Sequence, residues 1–564
     1  MQIETRPHSN TSVQACKKCS VEFTLDQDDF SFYEKMKVPA PKICPDCRFK
    51  MRALWRNEMS LYSGRKCGLC HKNILSMYNP KSSYITYCYK CYMSDNWDPK
   101  DFDQNYNKNE SFFEQLNVFF HKVPKNTTFI STGDGPNINS EYSNMSGGMK
   151  NCYMNFNGGK GEEMIYCRGM RFAKEIGDCY FGEYVERCYE CINILKSNGL
   201  IFARNTFDSM DSMFTLNCSG LNNCFGCINL KNKSYYFFNE QLSREDYLKK
   251  ISEIIGSYSK LEEYKKKFNE FSLKFPKREN NNLKTVNSIG DFLLECKNIQ
   301  NSFEVIGAEN SKNLFSTRSA HNSNGAIGYG YKSELLLECV SVGYSSNIIG
   351  SYTISDSQNI IYSSALKNCH DCIGCDGLKN TSYCILNKQH TKDEYEKLKE
   401  HITKELIEKD LYGLMMPTEL APFAYNETIA QDNMPLTKEE ALDQGFRWED
   451  DIQKTEGKET MKPEEIPDHI KDVEDNITKE ILCCINCKRN YKIVEQELLF
   501  YRKMILPIPR KCFYCRHKDR VIRRGPFKFF VRKCSNCNKD VNTNLTEEIA
   551  PILYCEKCYQ QEVI

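Results

Sequence analysis

Along residues 286–410 the apolar positions come in short pieces rather than in stripes. Pieces begin at Leu314-Phe315, Ala326-Ile327, Leu335-Leu336, Ile348-Ile349 and Ile360-Ile361, nine to thirteen residues apart with a mean of 11.5. Turn formers fill the gaps, as in Ser357-Gln358-Asn359 before Ile360 and Ser345-Ser346-Asn347 before Ile348. Pieces this short cannot make helices. They predict two- to four-residue strands stacked as a β-solenoid, in which each coil buries its face on its neighbours. On this spacing two beats, about 23 residues, make one flattened coil. A pair of small antiparallel sheets is the alternative. Residues 138–285 carry a looser version, with Asn151-Cys152-Tyr153, Asp178-Cys179-Tyr180 and Asn223-Cys224-Phe225 on the beat.

The two stretches are copies. CFGCINLKNKSYYFFNEQLSREDY, from Cys224 to Tyr247, returns 148 positions later as CIGCDGLKNTSYCILNKQHTKDEY, from Cys372 to Tyr395. Each copy runs into a Lys/Glu-rich helical pattern, Ser243 to about Phe275 and Thr391 to about Lys409.

A second duplication joins the ends of the chain and is written in cysteine. Cys16 and Cys19 precede Cys44 and Cys47 by 24 residues, and Cys67 and Cys70 precede Cys88 and Cys91 by 17. The same intervals separate Cys484 and Cys487 from Cys512 and Cys515, and Cys534 and Cys537 from Cys555 and Cys558. A Cys-x-x-Cys turn supplies two converging thiolates, and two such knuckles close a tetrahedral zinc site, so about four structural Zn2+ ions are expected. Sequential pairing of knuckles is the simplest. A cross-braced pairing, first with third, fits the spacing equally. Four-cysteine sites are closed, so these ions should hold shape rather than hydrolyse. His71 and His517, beside knuckles, read as neighbours. The fourteen cysteines between 152 and 384 read as small core hydrophobes. Cys224 with Cys227 and Cys372 with Cys375 repeat ligand spacing and offer a weaker candidate for a fifth site.

Composition narrows the setting. Lys+Arg 76 against Asp+Glu 75 excludes a protein that is polyanion-binding as a whole, and 564 residues allow several cores. The polar start, Met1 to Asn10, and the absence of an eighteen-residue apolar run point away from a secretory signal or a membrane span and towards the cytoplasm, where thiols stay reduced.

CKKC-x3-F-x8-FY ending in PAPKICPDCR, from Cys16 to Arg48, resembles the small zinc-ribbon or treble-clef domain of many bacterial proteins. WRNE at Trp55–Glu58, SDNWDP at Ser94–Pro99, FFEQL at Phe112–Leu116, KNCY at Lys150–Tyr153 and both CxGC-x2-LKN-x-SY blocks resemble a family of long candidate-phyla bacterial proteins. That resemblance implies zinc ribbons and repeats but no activity. Cys512-Phe513-Tyr514-Cys515 departs from the family's CPxC.

The expected architecture is mainly β: two short-strand β-solenoid modules, each closed by a helix, flanked by duplicated tandem zinc-ribbon domains. It divides as follows: 1–100, a zinc-ribbon pair; 101–137, a connecting helical segment; 138–285 and 286–410, the solenoid modules; 411–450, unassigned; 451–480, a flexible charged tether; 481–564, the second zinc-ribbon pair.

Charge is locally uneven. Ten Lys/Arg against Asp519 alone lie between Arg510 and Lys533, with Phe527, Phe529 and Phe530 interleaved, and a similar set surrounds Trp55. Cations among aromatics suit RNA, so Arg48, Lys50, Arg52, Arg56, Arg516, Lys518, Arg520, Arg523, Arg524 and Arg532 are candidate contacts. A solvated helix with aromatics in the small metal-module core is the plainer alternative. The expected function is a non-enzymatic zinc scaffold or recognition protein binding RNA, a ribonucleoprotein or a protein. An enzyme on the solenoid surface is the alternative, although Glu183, Glu186, Glu334 and Glu338 form no matching pattern in the two modules.

Overall fold

The computed structural model describes residues 11–130, 134–452 and 454–563, so the polar start at Met1–Asn10 lies outside the described residues. The protein is mainly strand. It divides into two compact units, each built from separated stretches: Met1–Thr127 with Asn282–Glu449, and Thr128–Asn281 with Asp450–Ile564. Each unit therefore combines a cysteine-rich module from one end of the chain with the coil stack that is not its sequence neighbour.

The strands of each stack pair in parallel, so the antiparallel alternative does not hold. Leu336 pairs with Ile348, Ile348 with Ile360, Ile360 with Cys372 and Cys372 with Cys384, each step being 12 residues. In the other unit Arg168, Tyr180, Ile192, Arg204 and Leu216 follow one another at the same step. One beat is thus one coil, not half of one. The reason lies in the backbone: Asn151, Met154, Asn157 and Lys160 all take φ near +50°, as do residues at three-residue intervals through most of both stacks. A left-handed residue turns the chain sharply, and a corner every third residue brings it back over itself in twelve.

Each triplet then has a corner residue, an inward residue and an outward residue. The inward positions run Cys188, Cys191, Ile194, and on to Leu200 and Ala203 in one stack, and Leu336, Cys339, Val342, Ile348, Ile354 and Ile360 in the other. All fourteen cysteines between 152 and 384 occupy this position and are buried in the coil core. Cys224 and Cys227 lie in one unit and Cys372 and Cys375 in the other, so they do not meet within either unit.

Serine and cysteine are interchangeable inside because both answer the same backbone groups. Ser345 Oγ donates to the Gly343 carbonyl at 2.8 Å and accepts the Ser357 N–H at 3.1 Å; Ser357 Oγ does likewise for Ser355 and Cys369; Cys369 Sγ donates to Lys367. At the corners, a non-glycine residue in the left-handed region costs about 1 kcal/mol or more. Asparagine tolerates it and adds a ladder: Asn193 Nδ2 donates to Asn205 at 2.9 Å and Asn205 to Asn217 at 3.0 Å.

Helices follow the last coil of each stack, which has no further coil to pair with. Arg244–Ser252 and Tyr258–Ser272 follow one stack and Lys392–Glu408 the other, close to the expected ranges. Thr391 opens the last with a capping box to Glu394, and Tyr395 is buried beneath it. Phe112–Lys122 supplies the helix expected between 101 and 137. The unassigned 411–450 forms short turns of helix that dock on the N-terminal module, where Tyr62 donates to Glu427 at 2.6 Å.

Residues 451–480 do not form a free tether. Ile466, Ile470, Val473 and Ile477 are buried, Arg510 donates to the Ile466 carbonyl at 2.8 Å, and Asp468 receives Ser257 and Ser259. Four apolar side chains three to four positions apart suffice to dock a segment whose other residues are charged. Among the described residues no helix is long and apolar enough to cross a membrane.

Candidate metal centres and the docking helices

Four groups of four thiols stand where the spacing placed them: Cys16, Cys19, Cys44, Cys47; Cys67, Cys70, Cys88, Cys91; Cys484, Cys487, Cys512, Cys515; and Cys534, Cys537, Cys555, Cys558. In each group all sulfurs lie within 4.8 Å of one another, which selects sequential pairing over the cross-braced one. All of these cysteines are free thiols.

The same local construction recurs in all four. The first knuckle closes with a left-handed residue, Ser20, His71, Lys488 and Asn538, at φ between 58° and 61°. The N–H of that residue donates back to the carbonyl of the knuckle's first cysteine. His71 therefore serves as a backbone turn and contributes no ligand. The second knuckle opens a helix, with Cys44, Cys88, Cys512 and Cys555 as the N-cap residues. A helix N-terminus favours thiolate over thiol. The first sulfur of each group also accepts a backbone N–H from across the site: Cys16 from Cys44 at 3.2 Å, Cys67 from Cys88 at 3.3 Å, Cys484 from Cys512 at 3.2 Å and Cys534 from Cys555 at 3.3 Å. Against the upward push of burial, the N–H groups of Cys70, Cys88 and Leu69 pull Cys67 down to about 6, and those of Cys537, Cys555 and Asn536 do the same for Cys534.

The donor set passes a geometric test. A tetrahedral ion with metal–sulfur bonds of about 2.3 Å needs sulfurs about 3.8 Å apart. The inter-knuckle contacts are 3.7 Å for Cys19–Cys44, 3.9 Å for Cys70–Cys88, 3.6 Å for Cys487–Cys512 and 3.7 Å for Cys537–Cys555. One contact between the knuckles of each group thus already stands at the tetrahedral separation, and the four thiols of each group could together hold a metal ion.

From Cys44 and Cys512 run the helices Pro45–Ala53 and Phe513–Arg524, and these carry the clustered arginines. They face the coil stack rather than solvent. Arg48 donates to Glu338 at 2.7 Å and Arg52 contacts the other oxygen of the same carboxylate. Arg56 pairs with Glu58 at 2.6 Å and donates to Ser341 at 2.6 Å. In the other unit Arg516 and Arg520 both reach Asp178 at 2.9 Å, Arg520 reaches Glu190 at 3.1 Å, Arg523 contacts Glu190, and Arg524 donates to Tyr180 at 2.7 Å.

The two interfaces are one interface used twice. Arg52 and Arg520 are equivalent in the cysteine-rich duplication, and Glu190 and Glu338 lie 148 positions apart, the offset of the stack duplication. Aromatic pairs complete each contact, with Phe49 edge-on to Phe315 at 5.8 Å and Phe513 stacked on Tyr166 at 5.1 Å.

Six of the ten residues expected to contact RNA are buried. Arg48, Arg52, Arg56, Arg516, Arg520 and Arg524 are each at most 5 % exposed, and Trp55 is buried against Tyr352. A guanidinium already paired with a buried carboxylate is not available to phosphate. Of the remaining four, Lys50 donates to Gln444, Arg523 contacts Glu190, Arg532 donates to the carbonyls of Leu545, Thr546 and Ala550, and Lys518 is exposed. Glu338, weighed above as a catalytic acid, is engaged by the arginines. Paired arginine and glutamate patterns in the two duplications were the signal that could have revealed the interface.

Glu497 lies beside it, fully buried, with Tyr501 donating at 2.6 Å and Tyr166 at 3.0 Å. Burial pushes its carboxyl up to about 7 even though Arg516 is 3.7 Å away. The folded unit therefore holds a proton that the unfolded chain, at about 4.3, releases earlier. That stabilisation is complete below the unfolded value and is lost as pH rises through about 7. Glu497→Gln should gain on the wild type by roughly 3 kcal/mol between about pH 5 and pH 8 in denaturant melts. A difference that does not move with pH would overturn this assignment.

No family model matches this chain, and comparison with curated proteins returns no match.

Proposed function

We propose that this protein is a non-enzymatic zinc scaffold, in which zinc-ribbon pairs latch two β-solenoid units. Zinc suits closed four-thiolate sites that carry no open position and no companion redox group. The observation that carries this reading is the burial of both arginine helices on the coil stacks: the metal modules act as intramolecular latches. Recognition then falls to the outer coil faces. One such face exposes Phe172 and Tyr184, stacked 5.0 Å apart with Lys160 over Phe172. A protein partner is favoured over RNA, because six of the ten cations on which RNA binding rested are buried.

Elemental analysis of the purified protein should give about four zinc ions per chain. Filter binding of bulk RNA at two salt concentrations should show no salt-sensitive retention. Steeply salt-dependent retention would restore RNA as the partner, and iron or little metal would overturn the zinc scaffold.

A further inference from the structure

We propose that Lys125 and Asp376 are joined by an intramolecular isopeptide bond that staples the N-terminal cysteine-rich module to its coil stack. Lys125 lies on the two-residue strand Lys125–Asn126, held by its own N–H on the Ile85 carbonyl at 2.8 Å and by the Thr127 N–H on Tyr87 at 3.0 Å. Asp376 lies in the coil that follows Cys375. Its backbone is clamped on both sides by Asn387, whose Oδ1 accepts the Asp376 N–H at 2.9 Å and whose Nδ2 donates to the Asp376 carbonyl at 2.8 Å. Both side chains are thus delivered from fixed backbones, and Lys125 Nζ rests directly against the Asp376 carboxyl group.

The surroundings are buried. The Asp376 side chain is fully buried and that of Lys125 nearly so. The Phe120 ring centroid lies 4.8 Å from Nζ and that of Tyr84 5.7 Å away. Among the described residues, Nζ and both carboxylate oxygens make no hydrogen bond elsewhere.

An ammonium offers three donors and a carboxylate about four acceptor sites, so an ion pair alone would leave most of them unanswered in an aromatic-walled pocket. An amide has one donor and one acceptor. Burial also holds the Lys125 amine well below its ordinary value, which favours the free amine over the ammonium.

The step balances without a further reactant. Proton transfer within the contact gives amine and carboxylic acid. The Lys125 Nζ lone pair forms a bond to Asp376 Cγ, the Cγ–OH bond breaks, and the hydroxyl leaves with one amine hydrogen as water. The product closes a loop of 251 sequence positions, 376 minus 125, and unlike a disulfide it withstands a reducing compartment.

The test uses the wild-type chain, fully denatured, reduced and metal-free, so that folding of a variant is not required. Intact mass spectrometry should give a mass one water below that of the sequence. Tryptic mapping should show no cleavage after Lys125 and a branched peptide joining it to the Asp376 segment. Asp376→Ala should restore the full mass and the cleavage. A wild-type mass equal to the sequence, a linear peptide ending at Lys125, or water lost at any other site would overturn the proposal.

Discussion

Glu338→Ala should destabilise the unit that contains it by about 3–5 kcal/mol, the cost of stripping the counter-ion from a buried charge. One carboxylate there meets two guanidinium groups, Arg48 and Arg52, and all three side chains are at most 2 % exposed. With Glu338 gone, two cations would sit beneath the N-terminal module with no water to replace it. The equivalent change, Glu190→Ala, should cost less, because Asp178 still faces Arg516 and Arg520 in the other unit. In the second stack the residue one coil before Glu338, matching Asp178 one coil before Glu190, is Gly325, which brings no carboxylate. Urea melts of the two variants should therefore show an asymmetry between units built on one plan. The triple change Glu338→Leu with Arg48→Met and Arg52→Met should recover most of the loss, since replacing a buried ionic cluster by apolar side chains is often neutral or better. Equal stability of Glu338→Ala and wild type would mean that the docking does not depend on this cluster.

Cys47→Ser should lower the metal content by one ion per chain and release the first knuckle pair to proteolysis. Structural zinc in isolated finger peptides contributes roughly 10–16 kcal/mol of apparent binding energy. That is a ceiling here, since the helix Pro45–Ala53 also packs on the coil stack. The control is another cysteine. Cys339 points into the coil core, where its Sγ donates to the Leu337 carbonyl at 3.2 Å and to Ile348 at 3.3 Å. Serines at 345 and 357 already make the equivalent bond in neighbouring coils. Cys339→Ser should thus leave the metal count unchanged at a cost of about 1 kcal/mol. An unchanged count in Cys47→Ser, or a lost ion in Cys339→Ser, would reverse the division of the cysteines into ligands and core.

The contrast between those two cysteines marks what was legible in the chain. Ligand cysteines announce themselves by knuckle spacing, because a tetrahedral site makes a local demand on residues three apart. Core cysteines announce themselves by period three, and that period runs openly from Cys152 through Cys167, Cys179, Cys188 and Cys191. It matches neither the two-residue period of a strand nor the 3.6-residue period of a helix. A three-residue period acquires meaning only with a left-handed corner in each triplet, a conformation that Tyr, Phe and Glu rarely adopt by themselves. One inserted residue, where Ala326 pairs with Cys339 at a step of 13, also breaks the phase.

By itself the sequence determined the four cysteine quartets, the two duplications, the short stacked strands and the helices that follow them. Each of these follows from chemistry between near neighbours. Tertiary structure alone decided that the N-terminal module docks on the second stack and the C-terminal module on the first. It also decided that the arginines beside the knuckles face carboxylates such as Glu338, 286 positions from Arg52. A cluster of arginines reads the same whether it awaits phosphate or a buried glutamate. Only the long-range contact removes it from water, and that removal turns a surface feature into part of the core.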